Sequence, residues 1–272
     1  MTANESGIDE FSSPDTMTTK HVRGRVYLVG AGPGAPDLIT LRAAEVLKRA
    51  DIVFHDALVH SEVLALASCA DRIAVGKRCG RFATAQQFIN KRLVDAAGKH
   101  QVVVRLKGGD PMLFGRAQEE IAALRAAGVE YEIVPGVTAA LAASAELGVS
   151  LTQRGVARSV AFVTARVGAG ERASAWADAA LQADTAVIYM GVGQAQEIAS
   201  TLIARGMGPD MPVAIVENAS LPSARCVTLC LAELPLAAAH GFTGPALIMV
   251  GAALAVLPDV FPATVSLGAA AA

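Results

Sequence analysis

The chain has 272 residues, a formal net charge of −2 and 53% apolar residues, and it is long enough for two ordinary domains, each burying its own core. The near-neutral charge argues against a protein that coats nucleic acid. Mean hydropathy is +0.44, yet no uninterrupted apolar run reaches the ~18–20 residues that span a bilayer.

The first residues, "MTANESGIDEFSSPDTMTTK", carry acids where a secretory signal needs bases and have no apolar centre. They read as a solvated tail over 1–22. Strand-like apolar runs then recur, each ending in Gly or a small polar residue: 26–30, 51–56, 102–110, 131–136, 159–165, 186–191, 213–218 and 246–251. Between many of them, apolar residues spaced by three and four predict helices over 41–50, 86–98, 117–128 and 195–206. The alternation predicts an α/β fold.

Pro135 and Gly136 punctuate the pattern before a small-residue helix. They divide the chain into an N-terminal α/β domain, 23–135, and a C-terminal one, 136–262. The last ten residues, 263–272, read as a second tail. Four cysteines, Cys69, Cys79, Cys226 and Cys230, lack the spacing and histidine company of a zinc site. No metal is expected, and reduced thiols suit a cytoplasmic protein.

In open α/β sheets, ligands sit beyond the carboxyl ends of the strands, and the short motifs of this chain cluster there. "VGAGPGAPD", 29–37, admits several readings. A dinucleotide loop tolerates Ala35 as its third small residue, and Asp51 and Asp56 fall near the distance of a ribose partner. Against it, Pro33 has no N–H to offer a phosphate. A purely structural glycine turn is also open, whereas a Walker loop is excluded because no Lys-Ser or Lys-Thr follows.

The segments "VYLVGAGPGAPDLITLRAAEVLKRADIVFHDALV", "VGKR" (75–78), "RLKGGDPMLFGRAQEE" (105–120), "VPGVTAALAASAELGVSLTQR" (134–154), "YMG" (189–191) and "VAIVENAS" (213–220) closely resemble the tetrapyrrole methylase family, over about Arg25 to Gly251. The glycine motifs alone mark only the wider family. "FGR", "LTQR", "YMG" and "AIVEN" point to its uroporphyrinogen-III C-methyltransferases.

That resemblance implies the class III methyltransferase fold, with S-adenosylmethionine and substrate in a cleft between two α/β domains. It implies methylation of uroporphyrinogen III, performed twice, with S-adenosylhomocysteine as the by-product and a homodimer as the assembly. Neither nucleic acid nor membrane is expected as a partner. A donor without phosphates makes Pro33 harmless, and the glycines let backbone approach closely.

By the same resemblance, Pro33, Gly108, Gly109, Asp110, Leu113, Thr138, Ala139, Met190, Ala219 and Ala246 bind the cofactor. Arg116, Glu119, Arg154 and Met190 contact a carboxylate-rich tetrapyrrole, for which arginine suits because its planar fork grips carboxylates bidentately. Asp56 is the expected proton acceptor and Lys77 the donor, with Arg116 and Glu119 beside the chemistry and Arg78 adding positive charge.

Bland alternatives stand beside these. Asp56 also reads as a helix cap, Asp110 as a turn former before Pro111, Met190 as core filling and each cation as a solvated charge. Strand alternation aims His55 away from Asp56. The chain departs from the family pattern at Ser150-Leu151-Thr152-Gln153-Arg154, commonly Pro-Leu-Thr-His-Arg, and at Ala117-Gln118-Glu119-Glu120, commonly Gly-Gly-Glu-Glu. Both departures keep the charged residues.

Overall fold

A computed structural model describes residues 24–75, 82–167 and 174–257. Lys77 and Arg78 lie outside the described residues, as do both expected tails. In chain order the elements are β1 (Arg25–Gly30), α1 (Leu41–Lys48), β2 (Ile52–His55), α2 (Ser61–Ala65), β3 (Asp71–Ala74), α3 (Phe82–Ala97), β4 (Val102–Lys107), α4 (Ala117–Ala126), β5 (Tyr131–Val134) and α5 (Ala139–Leu147). The second half adds β6 (Val160–Thr164), α6 (Trp176–Gln182), β7 (Thr185–Tyr189), α7 (Ala195–Ala204), β8 (Pro212–Glu217), β9 (Arg225–Cys230) and β10 (Ala246–Gly251).

The first sheet is wholly parallel, in the order β3-β2-β4-β1-β5. Helices cover both faces, which is why β1 and β4 read as continuous apolar runs. On one face Ala43, Val46, Leu47 and Val63 pack against Val29, Val53, Val104 and Leu106. On the other, Ile89, Leu93, Ile121 and Leu124 meet Val26, Leu28, Phe54 and Val103. All carboxyl ends therefore share one edge.

The second sheet, β6-β7-β10-β8-β9, is mixed. Only β6 and β7 run parallel; β10 is antiparallel to both β7 and β8, and β9 to β8. Plain strand-helix alternation did not foresee this. The physical reason is the connection from Asn218 to Ala224, too short for a helical crossover, which returns the chain as a hairpin. Its consequence is functional: the start of β10 lies beside the ends of β7 and β8, with Leu247 opposite Tyr189 and Ala246 opposite Glu217.

Helix α5 follows the last strand of the first sheet but joins the core of the second, where Ala140, Ala143 and Leu147 pack on Val187, Ala214, Val216 and Met249. The opposite face holds Ile188, Ile198, Leu202, Ile215 and Ile248. Among the described residues, no helix is long and apolar enough to cross a membrane, and no group of three or more His, Cys, Asp or Glu is placed to hold a metal ion.

Candidate active site

Three loops beyond the first sheet are laced together by main chain. Gly32 and Gly109 exchange backbone hydrogen bonds, at 2.7 and 3.2 Å. A Cβ at Gly30 would lie 2.6 Å from the Gly136 Cα, closer than side chains tolerate, so only glycine lets the loops after β1 and β5 touch. The Asp110 carboxylate completes the lacing, accepting from the backbone N–H of Met112 at 2.8 Å and of Gly136 at 2.9 Å. Those bonds match the turn-forming reading of Asp110; its position beside Gly109 keeps it at the cleft.

Loops from the second sheet meet this edge. The Ala35 N–H donates to the Ser220 hydroxyl at 3.1 Å, and the Ser220 N–H donates to Glu146 at 2.9 Å. The Thr138 and Tyr189 hydroxyls are 2.6 Å apart, and the Phe114 ring lies 5.0 Å from that of Tyr189. Backbone strain concentrates along the same edge: Phe114, Arg116, Met190, Asn218 and Ser220 have φ between 51° and 74°. Each such residue costs about 1–3 kcal/mol and survives where surrounding structure over-determines it, a pattern of functional loops.

Met190, with φ 57°, is 47% exposed, which rules out core filling. With Ala246, Arg166, Phe242, Gly244 and Pro245 it lines a cavity of about 490 Å³, within the roughly 300–1,000 Å³ usual for small ligands. Glu217, buried at the end of β8, braces that wall: one oxygen accepts from the Thr243 and Gly244 N–H groups, each at 2.6 Å, and the other from Arg225 at 3.2 Å. Ala219 is buried beside it. Pro33, Gly108, Gly109, Asp110, Leu113, Thr138 and Ala139 thus belong to first-sheet loops and the start of α5, and Met190, Ala219 and Ala246 to the opposing edge.

Charge gathers on the other side. Arg116, at the N-cap of α4, grips Glu119 with Nε at 2.6 Å and Nη2 at 2.8 Å from the two carboxylate oxygens, and both side chains are exposed. Asp56, just past β2, does not cap a helix with its side chain; its carboxylate pairs with the buried guanidinium of Arg105. Arg105 Nε also donates to Glu120 at 2.9 Å, and Lys107 Nζ donates to both Glu120 oxygens at 3.1 Å. Arg105, Lys107 and Glu120 are at most 3% exposed.

This cluster escaped sequence reasoning. The available signal was two cations two residues apart inside an apolar strand, a placement that demands a buried carboxylate. Burial, and then the adjacent Arg105 charge, push the Lys107 ammonium below the usual lysine range. Burial opposes the Arg105 charge as well, but Glu120 and Asp56 outweigh it and raise that guanidinium. Arg154 sits on an exposed turn closed by the Gln153 and Ala157 backbones. Among the described residues, no hydrogen bond or ion pair draws Arg154 to the other site residues.

Residues 25–235 match the model of the tetrapyrrole (corrin/porphyrin) methylases. The siroheme synthase of Psychrobacter sp. (strain PRwf-1) is 46% identical over 84% of the chain and 47% of its own length, so the chain spans about half the length of the curated relatives it matches. Among solved structures, the uroporphyrin III C-methyl transferase of Thermus thermophilus is 42% identical, with a TM-score of 0.75 over 86% of this chain and 100% of that one. The same enzyme complexed with S-adenosylhomocysteine superposes with a TM-score of 0.73 at 41% identity, again over 86% and 100% of the two chains. The two-sheet architecture is that of the class III methyltransferases. With the glycine-laced loops and the strained edge facing them, the chain belongs to the tetrapyrrole methylase family.

Proposed function

We propose that the chain is an S-adenosylmethionine-dependent C-methyltransferase that methylates uroporphyrinogen III twice, giving precorrin-2 and S-adenosylhomocysteine for sirohaem, cobalamin or haem d1 synthesis. One observation carries the reading. Loops bearing Pro33, Gly109, Thr138, Met190, Ala219 and Ala246 converge on one edge between the two sheets, in a chain of this family. The donor fits the residues present. Glycine and alanine leave main chain open to an adenosine and an amino-acid end, and Pro33 rules out only a phosphate cradle.

When bound, S-adenosylmethionine supplies a methyl group whose bonding electron pair leaves with sulfur. The protein's task is alignment and proton handling. Arg116 and Arg154 grip acceptor carboxylates, and Glu119 holds the Arg116 fork in a fixed plane. Asp56 accepts the proton that the macrocycle sheds once a ring carbon has taken the methyl group, since that carbon is then fully substituted and has none to lose, and Lys77 is its donor counterpart. The family resemblance supports a homodimer, and the reduced thiols support a cytoplasmic location. Purified chain incubated with S-adenosylmethionine and uroporphyrinogen III yields a coloured, doubly methylated product by absorbance and mass, with S-adenosylhomocysteine released. Turnover only with a later corrin intermediate, or binding without S-adenosylhomocysteine release, refutes the proposal.

A further inference from the structure

We infer that Arg105 is a positioning residue for methyl transfer: its buried guanidinium fixes the Asp56 carboxylate at the cleft and couples it to the helix that carries Arg116 and Glu119. The inference rests on the reading of Asp56 as proton acceptor. Arg105 and Lys107, two apart on β4, point to one face, where Glu120 of α4 waits with no exposed surface. Its Oε1 accepts from Arg105 at 2.9 Å, Lys107 at 3.1 Å and Gln86 at 3.3 Å, and its Oε2 from Lys107 at 3.1 Å. The guanidinium is further pinned by Nη1 donation to the Leu106 carbonyl at 3.1 Å.

With Nε held by Glu120 and Nη1 by the strand, the planar fork leaves Nη2 one direction, toward Asp56. Asp56 is the member of this cluster that reaches solvent, its side chain 32% exposed. Buried ion clusters are weak devices for stability, because desolvation offsets their attraction. Geometry is what this one supplies. Glu120 directly follows Glu119 and lies one turn from Arg116, so the carboxylate that aims Arg105 also seats the first turn of α4.

The test is a double-mutant cycle with Arg105→Lys and Asp56→Asn, read as kcat, KM for S-adenosylmethionine and melting temperature. Arg105→Lys keeps the buried charge but loses the fork. It lowers kcat by roughly 10- to 100-fold, the scale of an ångström of misplacement, while KM for the donor and the melting temperature stay near wild type. In the Asp56→Asn background the same substitution changes kcat less than about twofold, because its target is already gone. An equal loss of kcat in both backgrounds overturns the inference alone. A wild-type rate for Asp56→Asn, or no methylated product from the unmodified chain, overturns the reading beneath it as well. Should Arg105→Lys fail to fold, Arg105→Gln, which leaves buried Lys107 paired with Glu120, carries the same cycle and the same outcomes.

Discussion

The two sheets build their shares of the site by opposite means. The parallel first sheet delivers charge: Asp56, Arg105, Lys107, Arg116, Glu119 and Glu120 stand at or near its carboxyl edge. The mixed second sheet delivers shape, through Ala219, Ala246 and a strained Met190, with Glu217 bracing the wall behind them. A parallel sheet brings all its strand ends together, where loops can present side chains to a polar acceptor. Antiparallel β10 brings a strand start to the same edge, and small residues there leave main chain to face a ligand. The contrast predicts that charge changes in the first half damage acceptor chemistry, while volume changes in the second half damage donor binding.

The largest effect is expected at Asp56. Asp56→Asn keeps size and removes charge, and turnover should fall by roughly two to four decades with little change in melting temperature. Near-normal turnover moves the proton chemistry elsewhere. Next comes Glu120→Ala, which takes the carboxylate from buried Lys107 and leaves buried Arg105 with Asp56 alone, and should cost about 3–5 kcal/mol by denaturant titration. A loss under 1 kcal/mol would show that water or another group satisfies Arg105 and Lys107.

Arg116→Ala and Arg154→Ala should each weaken the tetrapyrrole by about 1.5–3 kcal/mol, roughly ten- to a hundredfold in KM, with donor KM unchanged. Arg154 tests the contrast hardest, since among the described residues no hydrogen bond or ion pair draws it to the other site residues. Unchanged turnover at limiting tetrapyrrole removes it from the site.

The smallest effect concerns Cys226, whose thiol is pushed up to about 11, by burial first and then by the Glu146 charge. Exposed Cys69 should alkylate faster than half-buried Cys226, whose labelling should climb as the solution approaches pH 11, as peptide mass mapping will read. The unfolded chain loses this proton first. The thiol's contribution to stability is therefore complete below the ordinary thiol range and is lost as pH climbs through that range toward 11.

What the sequence disclosed follows the same division. Buried parallel strands are near-continuous apolar runs, so β1, β2 and β4 were legible, and the edge strand β5 was marked by the Pro135-Gly136 that ends it. The edge strands β3 and β9 were not, because a half-exposed segment such as Arg225–Cys230 shows neither a buried run nor clean alternation. The loops that carry the family motifs could be read residue by residue. The buried cluster could not, since Glu120 on an amphipathic helix looks like any solvated acid until the helix is docked. The strand at 246–251 was legible but its antiparallel direction was not: direction is decided by the connection and is absent from the strand's own residues.

If the two sheets divide the work, acceptor chemistry and donor binding are separable, and calorimetric titration of S-adenosylhomocysteine into Asp56→Asn and Ala246→Leu measures that separation. Asp56→Asn should bind the ligand as the wild type does. Ala246→Leu overfills the wall beside Met190 and should weaken binding by tenfold or more, in line with the roughly 1–3 kcal/mol of overpacking. Loss of binding in Asp56→Asn, or wild-type affinity in Ala246→Leu, contradicts that division.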